Sequence, residues 1–216
     1  RTPIIDADVF VAGAGTAGCI AAIAAARMGA KVILVEKTPV PGGTYTNGGI
    51  GTYSFFSCNE NSSKSKRIVG GIPYELAERI TKENGATGFM LSPEDHYRSG
   101  YRFVADHEAY KGVISELLLE AGVTVLLQTM FCGVSIDGDF ITAAFIENKD
   151  GRSAVVAKQY IDASGDGDIA RFAGLEQIET WQDYDKVSGA PTGLVFGMAG
   201  IDFDRFLAEN ADSAFS

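Results

Sequence analysis

Three glycines and one acid near the amino end have the types and the spacing to bind a dinucleotide. Gly13, Gly15 and Gly18 form a Gly-x-Gly-x-x-Gly motif, and Glu36 follows about 20 residues further on. The first glycine permits a tight turn, the second lets the backbone approach a pyrophosphate, and the third lets a helix pack closely on a strand. The carboxylate of Glu36 can accept hydrogen bonds from ribose hydroxyls. Together these residues predict that the chain binds an adenine dinucleotide.

The flanking sequence supplies the elements that must position these residues. An apolar strand is predicted at 7–12, an alanine-rich helix at 19–28 that ends at Gly29, and a second strand at 31–36. With 26 glycines in 216 residues, the motif alone could match by chance. A strand, glycine turn, helix, strand and terminal acid in this order indicate a true nucleotide-binding βαβ unit.

Two further segments resemble a known family. The double glycine Gly42-Gly43 follows Glu36, and 161–168 reads Ile-Asp-Ala-Ser-Gly-Asp-Gly-Asp, close to a second motif that is usually Ala-Thr-Gly followed by Asp-Gly-Asp. Residues 120–129 are similar to the helix-to-strand passage between them. The order resembles FAD-dependent oxidoreductases of the glutathione-reductase-like type. The resemblance covers 7–50 and 103–200, and it implies FAD as the cofactor without indicating a substrate.

The resemblance also implies a role for each matching residue. It assigns the pyrophosphate to Gly13, Gly15, Thr16, Ala17 and Gly18; the adenosine ribose to Glu36 and Lys37; the pyrophosphate and ribityl chain to Gly42, Gly43 and Thr44; the adenine to the backbone of Phe131; and the adenosine portion to Ala163, Ser164 and Gly165. For Asp166 and Asp168 two interpretations stay open, contact with cofactor oxygens or capping of the next helix.

The implied fold is α/β, a Rossmann-like FAD-binding domain with a parallel sheet, a three-stranded antiparallel meander and the start of a substrate domain. We expect the FAD-binding domain at 1–57 and 101–174, with the meander at about 130–160 inserted into the parallel sheet. A helical and loop segment at 58–100 would be inserted, and 175–216 would begin an incomplete substrate domain. Proteins of this family are longer, so the chain is expected to be a fragment, a cleaved chain or a protein without the second half.

Periodicity and turn residues predict the remaining elements. Helices are predicted at 71–84, at 107–120 with Asp106 as its cap, at 169–173 and at 202–209. Strands are predicted at 101–104, 123–127, 130–136, 140–146, 153–160, 161–163 and 193–198. Residues 58–67 and 86–100 are expected to be irregular.

Composition limits the possible partners. The net charge of −10 argues against nucleic acid and anionic membranes, and no apolar run is long enough to span a bilayer. Cys19, Cys58 and Cys132 are too few for a disulfide framework or a metal cluster, so no metal is expected. Cys19 and Cys132 are interpreted as packing residues, and Cys58 as a loop residue, with a reactive thiol as the alternative. A cytoplasmic location is expected, although a targeting segment could precede the chain.

No catalytic residue can be assigned from the sequence. Tyr45 and Asn47 are candidates for the flavin-ring region, with a turn-forming role for Asn47 as the alternative. His96, Arg98 and Arg102 could contact an anionic substrate or be ordinary surface residues, and His107 is better explained by capping or packing.

The function predicted on this basis is transfer of a hydride or electrons between bound FAD and a small organic substrate. The alternatives are an NAD-dependent dehydrogenase and a non-catalytic nucleotide-binding fragment. A C-terminal fragment of the same protein or an identical subunit is the expected protein partner.

Overall fold

The structure is a computed structural model that describes residues 2–50, 52–53, 57–58, 66–91, 101–176 and 194–209. Its strands are β1 (Ile4–Asp6), β2 (Val9–Ala12), β3 (Val32–Val35), β4 (Thr52–Tyr53), β5 (Ser57–Cys58), β6 (Lys66–Arg67), β7 (Ala86–Leu91), β8 (Tyr101–Ala105), β9 (Thr124–Leu126), β10 (Met130–Asp137), β11 (Phe140–Asn148), β12 (Gly151–Val156) and β13 (Gln159–Asp162). Its helices are α1 (Thr16–Arg27), α2 (Ile72–Lys82), α3 (His107–Glu120), α4 (Asp168–Phe172) and α5 (Phe203–Glu209).

A four-stranded parallel sheet in the order β13-β2-β3-β9 is the centre of the fold. Its two central strands, β2 and β3, are short apolar runs, as expected of parallel strands that are covered on both faces. Val11 and Leu34 point to one face, where α1 and α3 pack, whereas Phe10 and Ile33 point to the other. This confirms the predicted α/β fold with a parallel sheet.

The meander forms a separate sheet that covers the second face of the parallel sheet. Its order is β1-β12-β11-β10, and Ala144, Ile146 and Val155 pack against Phe10 and Ile33. The three antiparallel strands were predicted correctly, but their insertion into the parallel sheet was wrong. The run 153–160 is divided at Ala157 and Lys158, so that β12 ends in one sheet and β13 begins in the other. Strand β1, which pairs in parallel with β12, was not predicted.

The segment between β3 and β9 contains a small antiparallel sheet in the order β4-β8-β7. Residues 86–91 were expected to be irregular and instead form β7. The expected loop at 58–67 includes part of a second pairing, between β5 and β6. Both corrections have one cause: pairing with an antiparallel partner depends on contacts between distant segments, and short strands carry little periodic signal of their own.

Several helix boundaries follow from local chemistry. The Asp106 side chain accepts hydrogen bonds from the N–H groups of Glu108 and Ala109, which confirms it as the cap of α3. Gly29 follows α1 with a φ of 89°, the left-handed conformation that favours glycine at a helix end. Helix α5 agrees with the prediction at 202–209 within one residue. Residues 194–198, predicted as a strand, have no regular structure.

None of the helices in the described ranges is both long and apolar enough to cross a membrane.

Candidate dinucleotide site

The residues singled out from the sequence meet at the carboxyl edge of the parallel sheet. Strand β2 ends at Ala12 and leads into the glycine turn, β3 ends one residue before Glu36, and β13 ends one residue before Ala163. Because β13, β2 and β3 are neighbours in that order, the three turns lie side by side. Ligands of open α/β sheets bind in the crevice at this edge, at the point where the strand order reverses.

Gly13 and Gly18 are required by close packing. Gly13 has a φ of 95°, and a Cβ placed on it would lie 2.4 Å from the carbonyl oxygen of Ala163. A Cβ on Gly18 would lie 1.8 Å from the carbonyl oxygen of Gly13. These two glycines therefore hold the turn against its own helix and against the turn after β13.

Gly15 differs from its two neighbours in the motif. It has an ordinary φ of −67°, and a Cβ added to it would meet no described atom within 4 Å. Gly15 is also the N-cap of α1, where no described side chain accepts from the first-turn N–H groups of Thr16, Ala17 and Gly18. Such groups cannot bond within the helix and sit at its positive dipole end, so they can bind an anion.

The double glycine lies directly against the glycine turn. The N–H of Gly42 donates to the carbonyl oxygen of Ala14 at 2.7 Å, and Gly15 forms a parallel bridge with Gly42. A Cβ on Gly43 would lie 2.8 Å from the Cα of Gly15. The structure thus brings together two glycine segments that are separate in the sequence and gives the space beside Gly15 a backbone wall.

Glu36 is buried at the edge of this space and is held by hydrogen bonds from the chain itself. Its Oε2 accepts from the N–H of Ala14 at 2.8 Å, and its Oε1 accepts from the N–H and the hydroxyl of Thr38 at 2.9 and 2.8 Å. Thr38 was not identified from the sequence; a hydroxyl two residues after the acid was the available signal.

The second motif is organised by Asp162, another residue that received no role from the sequence. Its Oδ1 accepts from the N–H and hydroxyl of Ser164, and its Oδ2 accepts from the N–H of Ala170. The Ser164 hydroxyl in turn accepts from the N–H of Asp168 at 2.9 Å. Burial raises the pKa of Asp162, but these hydrogen bonds outweigh it and leave the pKa below its ordinary value.

Capping of α4 was one of two interpretations for Asp166 and Asp168, and it is wrong for both. The N-cap position is Gly167 in a left-handed conformation, and the N–H groups of the first turn bond to Ser164 and Asp162. Asp166 is exposed in the turn, whereas Asp168 is half-buried in the first turn of α4. Their contact with cofactor oxygens stays a prediction.

A cleft of about 330 Å³ opens between the three turns and the edge strand β10, within the usual range of ligand pockets. It is lined by Ala12, Gly13, Val35, Glu36, Lys37, Thr129, Met130, Phe131, Cys132, Ser164, Asp168 and Phe172. The ring of Phe131 packs between Phe10 and Phe172, at centroid distances of 6.1 and 5.7 Å. Its side chain is thereby engaged in packing, and its backbone lies on a strand whose second edge faces the cleft.

Other predicted residues lie outside this cleft. Thr44 and Gly165 are exposed, and Ala163 packs behind Gly13. The proposal of Tyr45 as a flavin-ring residue is wrong, because its ring is buried on Tyr110 and its hydroxyl bonds to both backbone groups of Ala105. Burial raises the pKa of Tyr45 to about 12.

Asn47 and His107 have the structural roles offered as alternatives. The Asn47 side chain donates to Thr38 within its own loop, and His107 packs edge-on against Tyr45. His96 and Arg98, and the side chains of Arg102 and Cys58, lie outside the described residues.

The described cysteines agree with a packing role. Cys19 is fully buried, and burial raises its pKa to about 12, so the thiol stays protonated at neutral pH. Cys132 is half-buried, its Sγ lies 3.4 Å from the carbonyl oxygen of Phe145, and burial raises its pKa as well.

These features fit the adenosine diphosphate part of FAD. The open space at Gly15, the uncapped start of α1 and the buried carboxylate of Glu36 provide a phosphate site and a ribose acceptor at one edge. Residues 8–215 match the family described as FAD dependent oxidoreductase. The chain belongs to this family. FAD is therefore its cofactor, and the family match does not favour an NAD-dependent dehydrogenase.

Relatives of the FAD-dependent oxidoreductase family agree over the same region. The chain is 30% identical to the digeranylgeranylglycerophospholipid reductase of Picrophilus torridus, over 81% of this chain and 43% of that protein. It is 29% identical to the enzyme of the same name from Methanosarcina acetivorans, over 82% of this chain and 44% of that protein. The chain thus spans less than half the length of these curated relatives.

Solved structures share the fold. The geranylgeranyl bacteriochlorophyll reductase-like protein of Thermoplasma acidophilum superposes with a TM-score of 0.51 at 23% identity, over 80% of this chain and 43% of that one. The THI4 protein of Thermovibrio ammonificans gives a TM-score of 0.52 at 18% identity, over 79% and 64%. At these identities the likeness concerns the fold alone.

Proposed function

We propose that this chain forms the FAD-binding part of an oxidoreductase that transfers a hydride or electrons between FAD and a small organic substrate. The observation that carries the proposal is the uncapped start of α1 beside Gly15, at the same sheet edge as the buried Glu36. When bound, FAD supplies the redox chemistry, and the protein supplies binding, orientation and exclusion of water.

Different residues of the site would bind different parts of FAD. The first-turn N–H groups of Thr16, Ala17 and Gly18 would bind the pyrophosphate, and Gly15 would leave room for it. Glu36 would accept from the adenosine ribose, and the adenine would lie in the cleft along the backbone of Phe131. The exposed Lys37, at the rim, would add positive charge near the adenosine end.

The other end of the cofactor would point along the loop that follows the double glycine. At Gly49 this loop comes close to Val195, within a segment whose Leu194, Phe196 and Met198 are exposed. An apolar surface at this position supports an organic substrate rather than a highly charged one. The predicted protein partner, a C-terminal fragment of the same protein or an identical subunit, and the cytoplasmic location belong to the same proposal.

The test uses the complete protein, purified and examined for bound flavin by its visible absorbance and by its mass after release. We expect FAD rather than FMN, because FMN lacks the adenosine that the cleft would hold. Substrates are then screened anaerobically for bleaching of the flavin. A protein that takes up NAD but no flavin would overturn the proposal. Bound FAD that no substrate bleaches would favour the non-catalytic alternative.

A further inference from the structure

We propose that Thr38 is a positioning residue for the ribose-binding carboxylate of Glu36, and that Asn47 orients the Thr38 hydroxyl for this task. The inference rests on the proposed binding of FAD at this site. It adds two residues to that site, Thr38 and Asn47, which precede and follow the double glycine. Neither residue lines the cleft.

The carboxylate of Glu36 is fixed from both ends. The N–H of Ala14, in the glycine turn, donates to Oε2, while the N–H and the hydroxyl of Thr38 both contact Oε1. A carboxylate offers about four acceptor positions, two on each oxygen. Three donors therefore leave the free acceptor position on Oε2, beside the glycine turn where the ribose would lie.

The Thr38 hydroxyl has a single hydrogen and two acceptors within reach. Its Oγ1 lies 2.8 Å from Oε1 of Glu36 and 2.9 Å from the carbonyl oxygen of Val40. A hydrogen bond to an ionised carboxylate is stronger than one to a neutral carbonyl. The hydrogen is therefore directed to Glu36, and it holds Oε1 away from the ribose.

Asn47 favours the orientation in which the Thr38 hydroxyl donates to Glu36. Its Nδ2 donates to Oγ1 of Thr38 at 2.9 Å and lies 3.3 Å from the carbonyl oxygen of Val40. An amide that donates to the hydroxyl oxygen leaves the hydroxyl free to donate to the carboxylate. It also lies close to the competing carbonyl of Val40. The network Asn47–Thr38–Glu36–Ala14 thus joins the loop after the double glycine to the glycine turn.

The experiment measures FAD binding to the complete protein by flavin fluorescence, followed by displacement with ADP and with 2′,3′-dideoxy-ADP. We expect the parent protein to prefer ADP about tenfold, because only ADP offers hydroxyls to Glu36. Thr38→Val should weaken FAD binding about tenfold and reduce this preference to about twofold. Thr38→Ser should restore both values to within about twofold of the parent, since it keeps the hydroxyl.

Asn47→Leu should weaken FAD binding about threefold, and the double variant should resemble Thr38→Val alone, because both residues act through one hydroxyl. Thr142→Val is the matched control, since it removes an exposed hydroxyl on β11 that bonds to a backbone carbonyl away from the cleft. It should change neither value. Thermal unfolding of each variant shows whether a loss of binding reflects a loss of fold.

The outcomes separate this inference from the proposed function. If the parent binds FAD and prefers ADP, but Thr38→Val keeps that preference, the positioning role is wrong and the proposed function stands. If the parent binds FAD without distinguishing the two diphosphates, Glu36 does not hold the ribose and the inference is overturned. If the parent binds no FAD, both proposals fail.

Discussion

Two helices begin side by side at the carboxyl edge of the parallel sheet, and they differ in whether the N–H groups of their first turns are bonded to side chains. Helix α1 follows the glycine turn, has Gly15 as its N-cap, and carries neither a side-chain cap from the described residues nor an acid in its first turn. Helix α4 follows Asp162 and has its first-turn N–H groups bonded to Ser164 and Asp162, with Asp168 in the same turn. The first helix start is thus available to an anion, and the second is satisfied within the chain.

The comparison shows why strand, turn and helix do not by themselves make a phosphate site. Both helix starts have the same dipole direction, but the hydroxyl and carboxylate at α4 occupy the donors that a phosphate would need. The second turn instead packs against the first, since Ala163 lies against Gly13. It supports the site from behind and contributes its edge to the cleft.

The largest loss of stability is expected where the glycine turn after β2 contacts the turn after β13. Gly13→Ala places a Cβ 2.4 Å from the Ala163 carbonyl oxygen and requires a φ of 95° from an L-residue. Overpacking and backbone strain together should destabilise the protein by about 3 kcal/mol or more and abolish FAD binding. Denaturant unfolding measures the loss. The control is Gly112→Ala, in helix α3 with open space around it, which should be neutral or stabilising by up to about 1 kcal/mol.

The second-largest effect is expected on FAD affinity, with little change in the stability of the protein. Gly15→Ala fills the open space at the start of α1, where the backbone conformation already suits an L-residue. We expect FAD affinity to fall about 100-fold, or about 2.7 kcal/mol, because the methyl group would occupy the phosphate position. The free energy of unfolding without FAD should change by less than about 1 kcal/mol. Isothermal titration calorimetry and unfolding would measure the two quantities, and unchanged affinity would contradict the assignment of this helix start.

Removing the charge of Asp162 should weaken the hydrogen bonds that hold the first turn of α4. Asp162→Asn is expected to destabilise the protein by about 1.5 kcal/mol at pH 7, the low end for charged hydrogen bonds because the residue is partly exposed. Its pKa is lower in the folded protein, since the hydrogen bonds outweigh the opposing effect of burial. The stabilisation is therefore complete above the unfolded-state pKa of about 3.9 and disappears as the pH falls through the folded-state value.

Unfolding measured from pH 7 down to pH 2.5 tests this sign. The difference between the parent and Asp162→Asn should shrink below about pH 4. Asp166→Asn, an exposed acid of the same turn, should stay within about 0.5 kcal/mol of the parent at pH 7. A difference that grows toward acid pH would contradict the structure of this turn.

The smallest effect is expected from Ser164. Ser164→Ala removes the oxygen that accepts from the N–H of Asp168, so we expect a loss of about 1 kcal/mol, as for other helix caps. Ser164→Thr keeps the hydroxyl and should recover most of that stability. Thermal unfolding of the two variants side by side would show it, and equal losses would mean that the hydroxyl does not carry the cap.

The sequence predicted the local units well and their partners less well. The βαβ start, the cap at Asp106 and the meander strands were all predicted because turn residues and apolar periodicity are local signals. The assignment of the meander to the wrong sheet, the missing β1 and the missing β7 have one cause. Strand pairing depends on contacts between distant segments, and 153–160 contains no residue that marks the division at Ala157.

The same division applies to the site. Gly13, Gly15 and Gly18 are recognisable because their spacing coincides with a strand before them, a helix after them and an acid at the end of the following strand. Tyr45 was assigned to the wrong environment because an aromatic residue near a glycine loop can turn either way. Asp162 and Thr38 act through hydrogen bonds to other residues of the site, and the one local signal, a hydroxyl two residues after Glu36, does not show which group it contacts.

The sequence alone determined the glycine turn, the order of strand and helix, and the family, because these depend on backbone conformations that few residue types permit. Tertiary structure alone decided which helix start remains open, how Glu36 is held, and which face of the parallel sheet the meander covers. The physical reason is that a donor is open or occupied according to what lies within about 3 Å of it, and the groups at that distance come from segments far apart in the chain.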